Sequence, residues 1–339
     1  MGGRFLLRLL AAPGLGASLG AGIVAVVAAA AAAALAPGLA AAAPLTLDVA
    51  PVPLSAGAPE RDTVGRLRYR GGLHLSAGDN RFGGLSALGI SADGRRLVAL
   101  SDAGHRFSAR LVYDRAGNLA GLGDADLGSL AGLDGRPLLS KADGDAEAMS
   151  PGVEGEIIVA FERRHRLWRY RPGVVVPEPL PPPQEMADLP FNNGVEALAL
   201  LADGSLLALS EGSGGRAAAV GWISDRGGWS VLTYRTADGF RVTGAATLPG
   251  GDVVVLERLF TLRGDNAIRI KRIAAAAIKA GARLDGEIIA ELRPPLTVDN
   301  FEGIEARRGP RGEVLIYLIS DDNFNAEQRT LLMMFELLE

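Results

Sequence analysis

Residues 194–211 read GVEALALLADGSLLALSE, and this stretch decides the fold. It contains an apolar run after Glu196, a turn at Asp203-Gly204 and a second apolar run that ends on Glu211. Two strand-like runs joined by a glycine-containing turn are typical of a β-hairpin, because glycine adopts positive φ at little steric cost. The stretch therefore predicts a hairpin with one acid near its start and another at its end.

The same pattern occurs five times along the chain. Its openings stand at residues 86, 147, 196, 244 and 302, so successive copies are 61, 49, 48 and 58 residues apart. Repeats of about 40–50 residues with several strands each are typical of β-propeller blades. The predicted turns of the five copies are Asp93-Gly94, Glu154-Gly155, Asp203-Gly204, Gly250-Gly251 and Arg311-Gly312.

The repeat predicts an all-β fold, a β-propeller of about six blades, since about 295 residues remain after the N-terminal segment and a blade takes about 50. We expect the propeller to be closed by pairing of the N- and C-terminal strands, with Leu45–Leu54 beside Thr330–Leu337. Such closure leaves no open edge strand. Because the repeat spacing is uneven, two stacked β-sandwiches or an open meander remain as alternatives.

The N-terminal segment is typical of a secretory signal peptide. Arg4 and Arg8 precede an uncharged stretch from Leu9 to Leu47, and small residues stand at Ala40–Ala43. This combination predicts a signal peptide at residues 1–43, cleaved after Ala42, with an uncleaved membrane anchor as the alternative. Residues 44–339 would then form the propeller domain, located in the periplasm or secreted.

Composition excludes several function classes. The 339 residues include no cysteine, which excludes thiol catalysis and cysteine-bound zinc. The net charge of −4 argues against a nucleic-acid partner. Residues 44–339 contain no Gly-x-Ser-x-Gly elbow, and the chain has no phosphate-binding glycine loop. We expect a monomer that acts on a small anionic or ester substrate and meets a membrane only through an uncleaved N-terminal segment.

Acidic residues recur at two points of the repeat. One point is the start of the first strand and the other is the end of the second, and equivalent positions of successive blades form a ring around a propeller axis. Dense carboxylates suit Ca²⁺, which takes six to eight oxygen ligands. The candidate metal ligands are Glu147, Glu196 and Glu302 at the first point, Asp102, Glu162, Glu211, Glu257 and Asp321 at the second, and Asp322 beside them.

Two groups of candidate site residues also have a purely structural interpretation. In Asp321-Asp322-Asn323 the side chains bind a metal or cap a turn through backbone N–H groups. Arg163 and Arg258, which follow Glu162 and Glu257, are candidate catalytic residues that hold a phosphate. Alternatively, each arginine points to the opposite face of its strand from the acid before it, because side chains alternate along a strand.

Several segments together resemble a known family. Asn300-Phe301-Glu302-Gly303, followed by Ser320-Asp321-Asp322-Asn323-Phe324 and Gln328-Arg329-Thr330, is similar to its C-terminal signature. Its internal segments resemble Asp145-Ala146-Glu147-Ala148, Phe161-Glu162-Arg163, Gly194-Val195-Glu196-Ala197 and Leu256-Glu257-Arg258. The family is the phytase-like one, also called "esterase-like activity of phytase", and the resemblance covers roughly Leu67–Leu337. It implies a bacterial exported propeller, related in outline to calcium-dependent propeller phytases, with esterase or phosphatase activity. This chain departs at Gly244, where relatives usually place an acid.

Two functions follow as hypotheses. The first is a calcium-dependent phosphoester or ester hydrolase, in which the acids bind Ca²⁺ and Arg163 or Arg258 holds the phosphate. The second is a non-catalytic periplasmic propeller that binds a small ligand or a partner protein at the same mouth.

Overall fold

The computed structural model describes residues 42–152, 155–212, 217–260 and 266–339. The predicted signal segment lies outside the described residues except for Ala42 and Ala43, and so does Glu154 of one predicted turn. No helix in the described part of the chain is long and apolar enough to cross a membrane.

The described strands form five sheets, with strands numbered in chain order. The first sheet contains β5 (Leu85–Ile90), β6 (Arg96–Ser101), β7 (His105–Tyr113), β8 (Leu119–Ser129) and β1 (Ala43–Pro44). The second contains β9 (Ala146–Pro151), β10 (Ile157–Phe161), β11 (Arg166–Tyr170) and β12 (Glu178–Leu180). The third contains β13 (Val195–Leu200), β14 (Leu206–Ser210), β15 (Ala219–Asp225), β16 (Gly228–Tyr234) and β20 (Arg283–Leu284).

The fourth sheet contains β17 (Arg241–Thr247), β18 (Val253–Phe260), β19 (Asn266–Ile273) and β21 (Glu287–Leu292). The fifth contains β22 (Phe301–Arg308), β23 (Val314–Ser320), β24 (Thr330–Leu337), β4 (Leu67–Ala77) and β2 (Leu47–Pro51), with β3 (Thr63–Val64) beside β4. Among the described residues, helical structure is limited to α1 (Lys141–Gly144) and two 3-10 segments, Gln184–Asp188 and Ala275–Ala277.

The five sheets are the blades of a propeller, called blades 1 to 5 in the order just given. Their first strands, β5, β9, β13, β17 and β22, lie side by side in a cycle in which β22 again contacts β5. One apolar cluster fills each junction between neighbouring blades. The prediction of an all-β propeller is confirmed. The expected count of about six blades is wrong, because the five repeats are the five blades.

The chain ends enlarge an existing blade instead of forming a sixth. Strand β24 pairs with β4, from Thr330↔Leu75 to Leu337↔Leu67, and β4 pairs in turn with β2. Leu67–Ala77 therefore separates the two segments, Leu45–Leu54 and Thr330–Leu337, that were expected to pair directly. The expected pairing is wrong because β4, with 11 residues, occupies the edge of β24.

A β-bulge interrupts the first strand pair of every blade. The register shifts between Leu85 and Ala87 in blade 1, and the same shift occurs in the other four blades. Each bulge leaves one residue without a partner on the second strand. The five bulged residues are Ser86, Glu147, Glu196, Thr243 and Glu302. The predicted opening at Gly244 is therefore displaced by one residue, because Thr243 is the equivalent of the glutamates.

Candidate metal centre at the axial mouth

The bulged residues line a narrow cavity on the propeller axis. Its volume is about 10 Å³, close to the minimum of about 10–15 Å³ that holds one water molecule. The walls between the polar groups are formed by small and apolar residues such as Ala87, Ala148 and Ala245. The polar residues of the lining are Ser86, Glu147, Glu196, Thr243 and Glu302. The axis therefore carries three carboxylates, a serine and a threonine around a space of water or ion size.

A second set of acids follows the second strands of the blades. In four blades the residue after the second strand donates its backbone N–H to the carbonyl oxygen of the residue before the first strand, at 2.8–3.3 Å. This shared contact makes the four positions structurally equivalent. The four acids are Asp102, Glu162, Glu211 and Asp321, and their carbonyl partners are Gly84, Asp145, Gly194 and Asn300.

In blade 4 the equivalent position is an arginine. Glu257 pairs with Val242, whereas Arg258 pairs with Arg241, the residue that opens this blade. Arg258 therefore occupies the place that an acid holds in the other blades. The expected equivalence of Glu257 with the other acids is wrong by one residue, and such a shift moves a side chain to the opposite face of the sheet.

Glu257 belongs to a buried ion cluster inside blades 3 and 4. Its side chain is completely buried, 3.1 Å from the Lys271 ammonium, and it accepts a hydrogen bond from Tyr234 at 2.9 Å. Burial raises the pKa of Glu257, and Lys271 and Tyr234 oppose that increase. Glu257 is thus the counter-ion of Lys271, away from the axial mouth.

Asp145, Glu147 and Glu162 form the tightest carboxylate group of the described residues. One oxygen from each lies within 4.8 Å of the others, an arrangement that could hold a metal ion. Burial, followed by repulsion from Glu196, raises the pKa of Glu147 well above its ordinary value. Burial and the neighbouring Asp145 raise the pKa of Glu162 to about 7, although the Gly194 N–H donates to Glu162 at 3.0 Å. Burial and mutual repulsion therefore oppose the ionisation of Glu147 and Glu162 when no metal ion is bound.

Four other acids of the mouth also have raised pKa values. Burial is the first cause of the raised pKa values of Glu196, Glu302 and Asp102, and neighbouring carboxylates add to it. For Asp321, burial and Glu302 raise the pKa to about 8. Oδ1 of Asp102 is buried without a hydrogen-bond partner in the described part of the chain. Lys141 contacts Asp102 and Arg258 contacts Glu302, so the cations present offset only part of the burial and the repulsion.

The number of charged groups also shows an excess of negative charge at the mouth. Among the described residues, the mouth brings together nine carboxylates but only four cations that contact them directly. The carboxylates are Asp102, Asp145, Glu147, Glu162, Glu196, Glu211, Glu302, Asp321 and Asp322. The cations are Lys141, Arg163, Arg241 and Arg258. A hard divalent cation with oxygen ligands fits this donor set.

Some of the predicted ligands instead connect neighbouring blades. Asp322 accepts hydrogen bonds from Gly84 N–H at 2.8 Å, Phe324 N–H at 3.1 Å and the Thr330 hydroxyl at 3.0 Å. Asp321 accepts from the Asn323 N–H at 2.6 Å. Both aspartates therefore cap the turn that follows β23, and Asp322 also attaches blade 5 to blade 1.

The two predicted arginines both lie at the mouth. Arg163 donates to Asp145 at 2.5 Å, with its guanidinium 5.1 Å from the centre of the exposed Phe191 ring. Arg258 lies 3.1 Å from Glu302 and also bonds the Asn300 side chain. Their catalytic role stays a prediction, and sequence reasoning assigned no role to Asp145 or Lys141.

Lys141 and Asp145 were missed for different reasons. Asp145 is completely buried and pairs with Arg163 and with Lys141, whose ammonium lies 2.5 Å from it. The only sequence signal for Asp145 was its place before Glu147 in a family-like segment. Lys141 also contacts Asp102 at 2.5 Å, but it starts the one-turn helix α1 and follows no repeat, so no sequence pattern indicated it.

Comparison with known proteins identifies the family. A family model described as "Phytase-like: Esterase-like activity of phytase" matches residues 80–324, which is well over half of the chain. The chain belongs to this family. The matched region of this phytase-like propeller includes all five bulged residues and every acid of the mouth. A search of curated proteins found no significant match.

Several solved structures are similar to this phytase-like chain at low identity. A protein of unknown function from Dyadobacter fermentans is 13% identical with a TM-score of 0.43, over 88% of this chain and 94% of that one. Virginiamycin B lyase from Staphylococcus aureus is 10% identical with a TM-score of 0.41, over 85% and 99%. A GH62 α-L-arabinofuranosidase from Coprinopsis cinerea is 11% identical with a TM-score of 0.48, over 85% and 100%. At these levels the likenesses indicate nothing about function.

Proposed function

We propose that this phytase-like propeller is a calcium-dependent phosphoester hydrolase whose centre is formed by Asp145, Glu147 and Glu162. The observation that supports the proposal is the approach of these three carboxylates to within 4.8 Å of one another. Family membership favours a hydrolase. From the N-terminal sequence we also propose that the protein is exported. We further propose that it acts as a monomer.

The donor set favours Ca²⁺ among divalent ions. All three residues offer carboxylate oxygens, and Glu147 also lines the axial cavity together with Glu196 and Glu302. Ca²⁺ accepts six to eight such oxygens, whereas Mg²⁺ demands a smaller octahedral set. A bound Ca²⁺ would polarise a phosphoryl oxygen and lower the pKa of a bound water.

The protein's own side chains would position the substrate. The Arg258 guanidinium at the mouth is the only cation at a position where the other blades carry acids, so it would attract a phosphate group to that side. Arg163 is held by Asp145 and stacks near Phe191, so it would present a fixed N–H edge. Phe191 and Phe324 are exposed large apolar residues at the same mouth and would contact the organic part of a phosphoester.

The experiment compares the full chain with Glu147→Gln in Ca²⁺ and in EDTA. In EDTA we expect Glu147→Gln to melt at a higher temperature than the wild type, because it removes one buried carboxylate from a mutually repelling group. In Ca²⁺ the order reverses, because a ligand that binds only the folded state stabilises it. Release of phosphate from p-nitrophenyl phosphate should be Ca²⁺-dependent in the wild type and fall by about 10²-fold in the variant.

Glu327→Gln is the control, since Glu327 is an exposed acid that forms no ion pair with another described residue. It should follow the wild type in every condition. A wild-type melting temperature that Ca²⁺ does not change would contradict the metal centre. A calcium effect without phosphate or ester turnover would contradict the hydrolase and favour the alternative, a propeller that binds a small ligand or partner protein.

A further inference from the structure

The end of blade 5 away from the mouth carries a groove lined by arginines. Its volume is about 650 Å³, within the range of about 300–1,000 Å³ typical of small-molecule sites. Strand β22 leads from Glu302 at the mouth to Arg308 in the groove, so the two are about 20 Å apart along the strand. The groove is therefore separate from the proposed metal centre. Its arginines are Arg68, Arg70, Arg272, Arg308 and Arg311.

The sheet geometry brings these arginines together. Arg308 is the last residue of β22 and pairs with Val314 at the start of β23, which pairs with Leu337 at the end of β24. Arg68 lies opposite Glu336 on the neighbouring strand β4. Leu248 and Arg272 add the edge of blade 4 to the groove. Neighbouring strand ends of one blade thus present their basic residues to one space.

Ion pairs with acids hold two of the groove arginines in place. Arg70 is buried and lies 2.6 Å from Glu336, and it also donates to the side chain of Asn118 at 2.7 Å. Arg272 donates to Asp252 at 2.7 Å. Fixed guanidinium groups lose little freedom when a ligand binds. These two arginines therefore form a preorganised frame.

Arg308 and Arg311 keep most of their binding capacity. Both are exposed. Arg308 donates to the Gly312 carbonyl at 3.1 Å and forms no ion pair with a described carboxylate. Arg311 contacts Glu313 only at 3.4 Å, and Glu313 already accepts the Arg311 backbone N–H at 2.7 Å. Their guanidinium groups can still bind an incoming anion bidentately.

We propose that this groove binds a small phosphate-bearing polyanion. The planar fork of arginine matches phosphate oxygens, and several arginines around one space select ligands with more than one phosphate. The lining carries five arginines and three acids. Glu336 is paired with Arg68 and Arg70, Glu313 contacts Arg311, and Glu339 is exposed, so the arginines still leave an excess of positive charge. The site requires no metal, in contrast to the proposed centre at the mouth, and it does not depend on that centre.

Calorimetric titration of the full chain with inorganic tripolyphosphate tests the proposal. EDTA is present throughout, so that metal-dependent binding at the mouth is removed. We expect binding to the wild type that weakens as salt increases, and a loss of affinity of at least about tenfold in the double variant Arg308→Gln/Arg311→Gln. Both side chains are exposed, so the variant should keep the wild-type melting temperature.

Two further variants locate the binding. Arg226→Gln removes an exposed arginine of a distant hairpin in blade 3 and should bind as the wild type does. Glu147→Gln alters the mouth and should also leave the affinity unchanged. Absence of binding at millimolar tripolyphosphate, or equal losses in the Arg226→Gln and double variants, would overturn the proposal. A loss confined to Glu147→Gln would move the anion site to the mouth and overturn it as well.

Discussion

At the scale of single residues, Glu305 is a buried acid that the mouth does not use. It lies inside β22 with 7% of its surface exposed, and the hydrogen bond it accepts comes from the Ala306 N–H at 2.8 Å. Burial raises its pKa to about 8 from an ordinary value of 4.5. The folded protein therefore holds a neutral carboxylic acid at neutral pH, at a cost in stability.

The pH dependence of stability follows from this shift. Between about pH 4.5 and 8 the Glu305 carboxyl is protonated in the folded protein and ionised in the unfolded chain. Stability from this group is therefore complete at low pH and is lost as pH rises through that window. We expect Glu305→Gln to melt at a higher temperature than the wild type at pH 8 and at a similar temperature at pH 4.5. The difference at pH 8 should amount to several kcal/mol of unfolding free energy.

Melting curves of Glu327→Gln provide the control for Glu305→Gln. Glu327 is exposed, so its replacement should leave the wild-type pH dependence intact. If Glu305→Gln follows the wild type at both pH values, the buried carboxyl does not contribute to the pH dependence.

At the scale of strands, the bulged residue and the residue after it form one structural motif that every blade repeats. The bulge directs one polar side chain to the axis, and the next position is always small: Ala87, Ala148, Ala197, Gly244 or Gly303. A Cβ on Gly303 would lie 2.9 Å from the Leu88 backbone nitrogen of blade 1. Small residues therefore allow five first strands to approach one another around a narrow axis.

We expect Gly303→Ala to destabilise the fold by about 1–3 kcal/mol, because the added methyl overpacks a rigid contact between two strands. Thermal or urea unfolding measures the loss. Gly78→Ala is the control, since an added Cβ there meets no atom within 4 Å. Equal stability of the Gly303→Ala and Gly78→Ala variants would disprove the close-approach argument.

The sequence predicted these strands better than their register. The predicted turns, such as Asp93-Gly94 and Gly250-Gly251, do lie between the first and second strands of their blades, because apolar runs flank these glycine turns. In blade 4 the bulged residue is Thr243, which is not acidic, so the sequence pattern was aligned one residue off. As a result, Glu257 was predicted at the position after the second strand that Arg258 occupies. A shift of one residue reverses the face of a strand, so motif positions alone could not exclude it.

At the scale of the whole molecule, contacts at the mouth join all five blades in a cycle. Lys141 connects Asp102 of blade 1 with Asp145 of blade 2. The other four junctions are bridged by Glu162 to Gly194 N–H, Glu211 to Arg241, Arg258 to Glu302 and Asp322 to Gly84 N–H. Several acids of the mouth therefore connect neighbouring blades, and the sequence could not distinguish them from the proposed metal ligands. The blade count was also wrong at this scale, because the N-terminal strands β2 and β4 join blade 5 instead of forming a blade of their own.

Substitution of Asp322 tests whether this residue connects two blades or binds the metal ion. Asp322→Ala leaves the N–H groups of Gly84 and Phe324 without their acceptor, so we expect a loss of about 2–4 kcal/mol of unfolding free energy. The loss should be the same in Ca²⁺ and in EDTA, measured by urea unfolding. Asp322→Asn keeps an acceptor oxygen and should be milder. If the loss in Asp322→Ala appears only in Ca²⁺, Asp322 is a metal ligand, and the junction between blades 5 and 1 depends on the ion rather than on these hydrogen bonds.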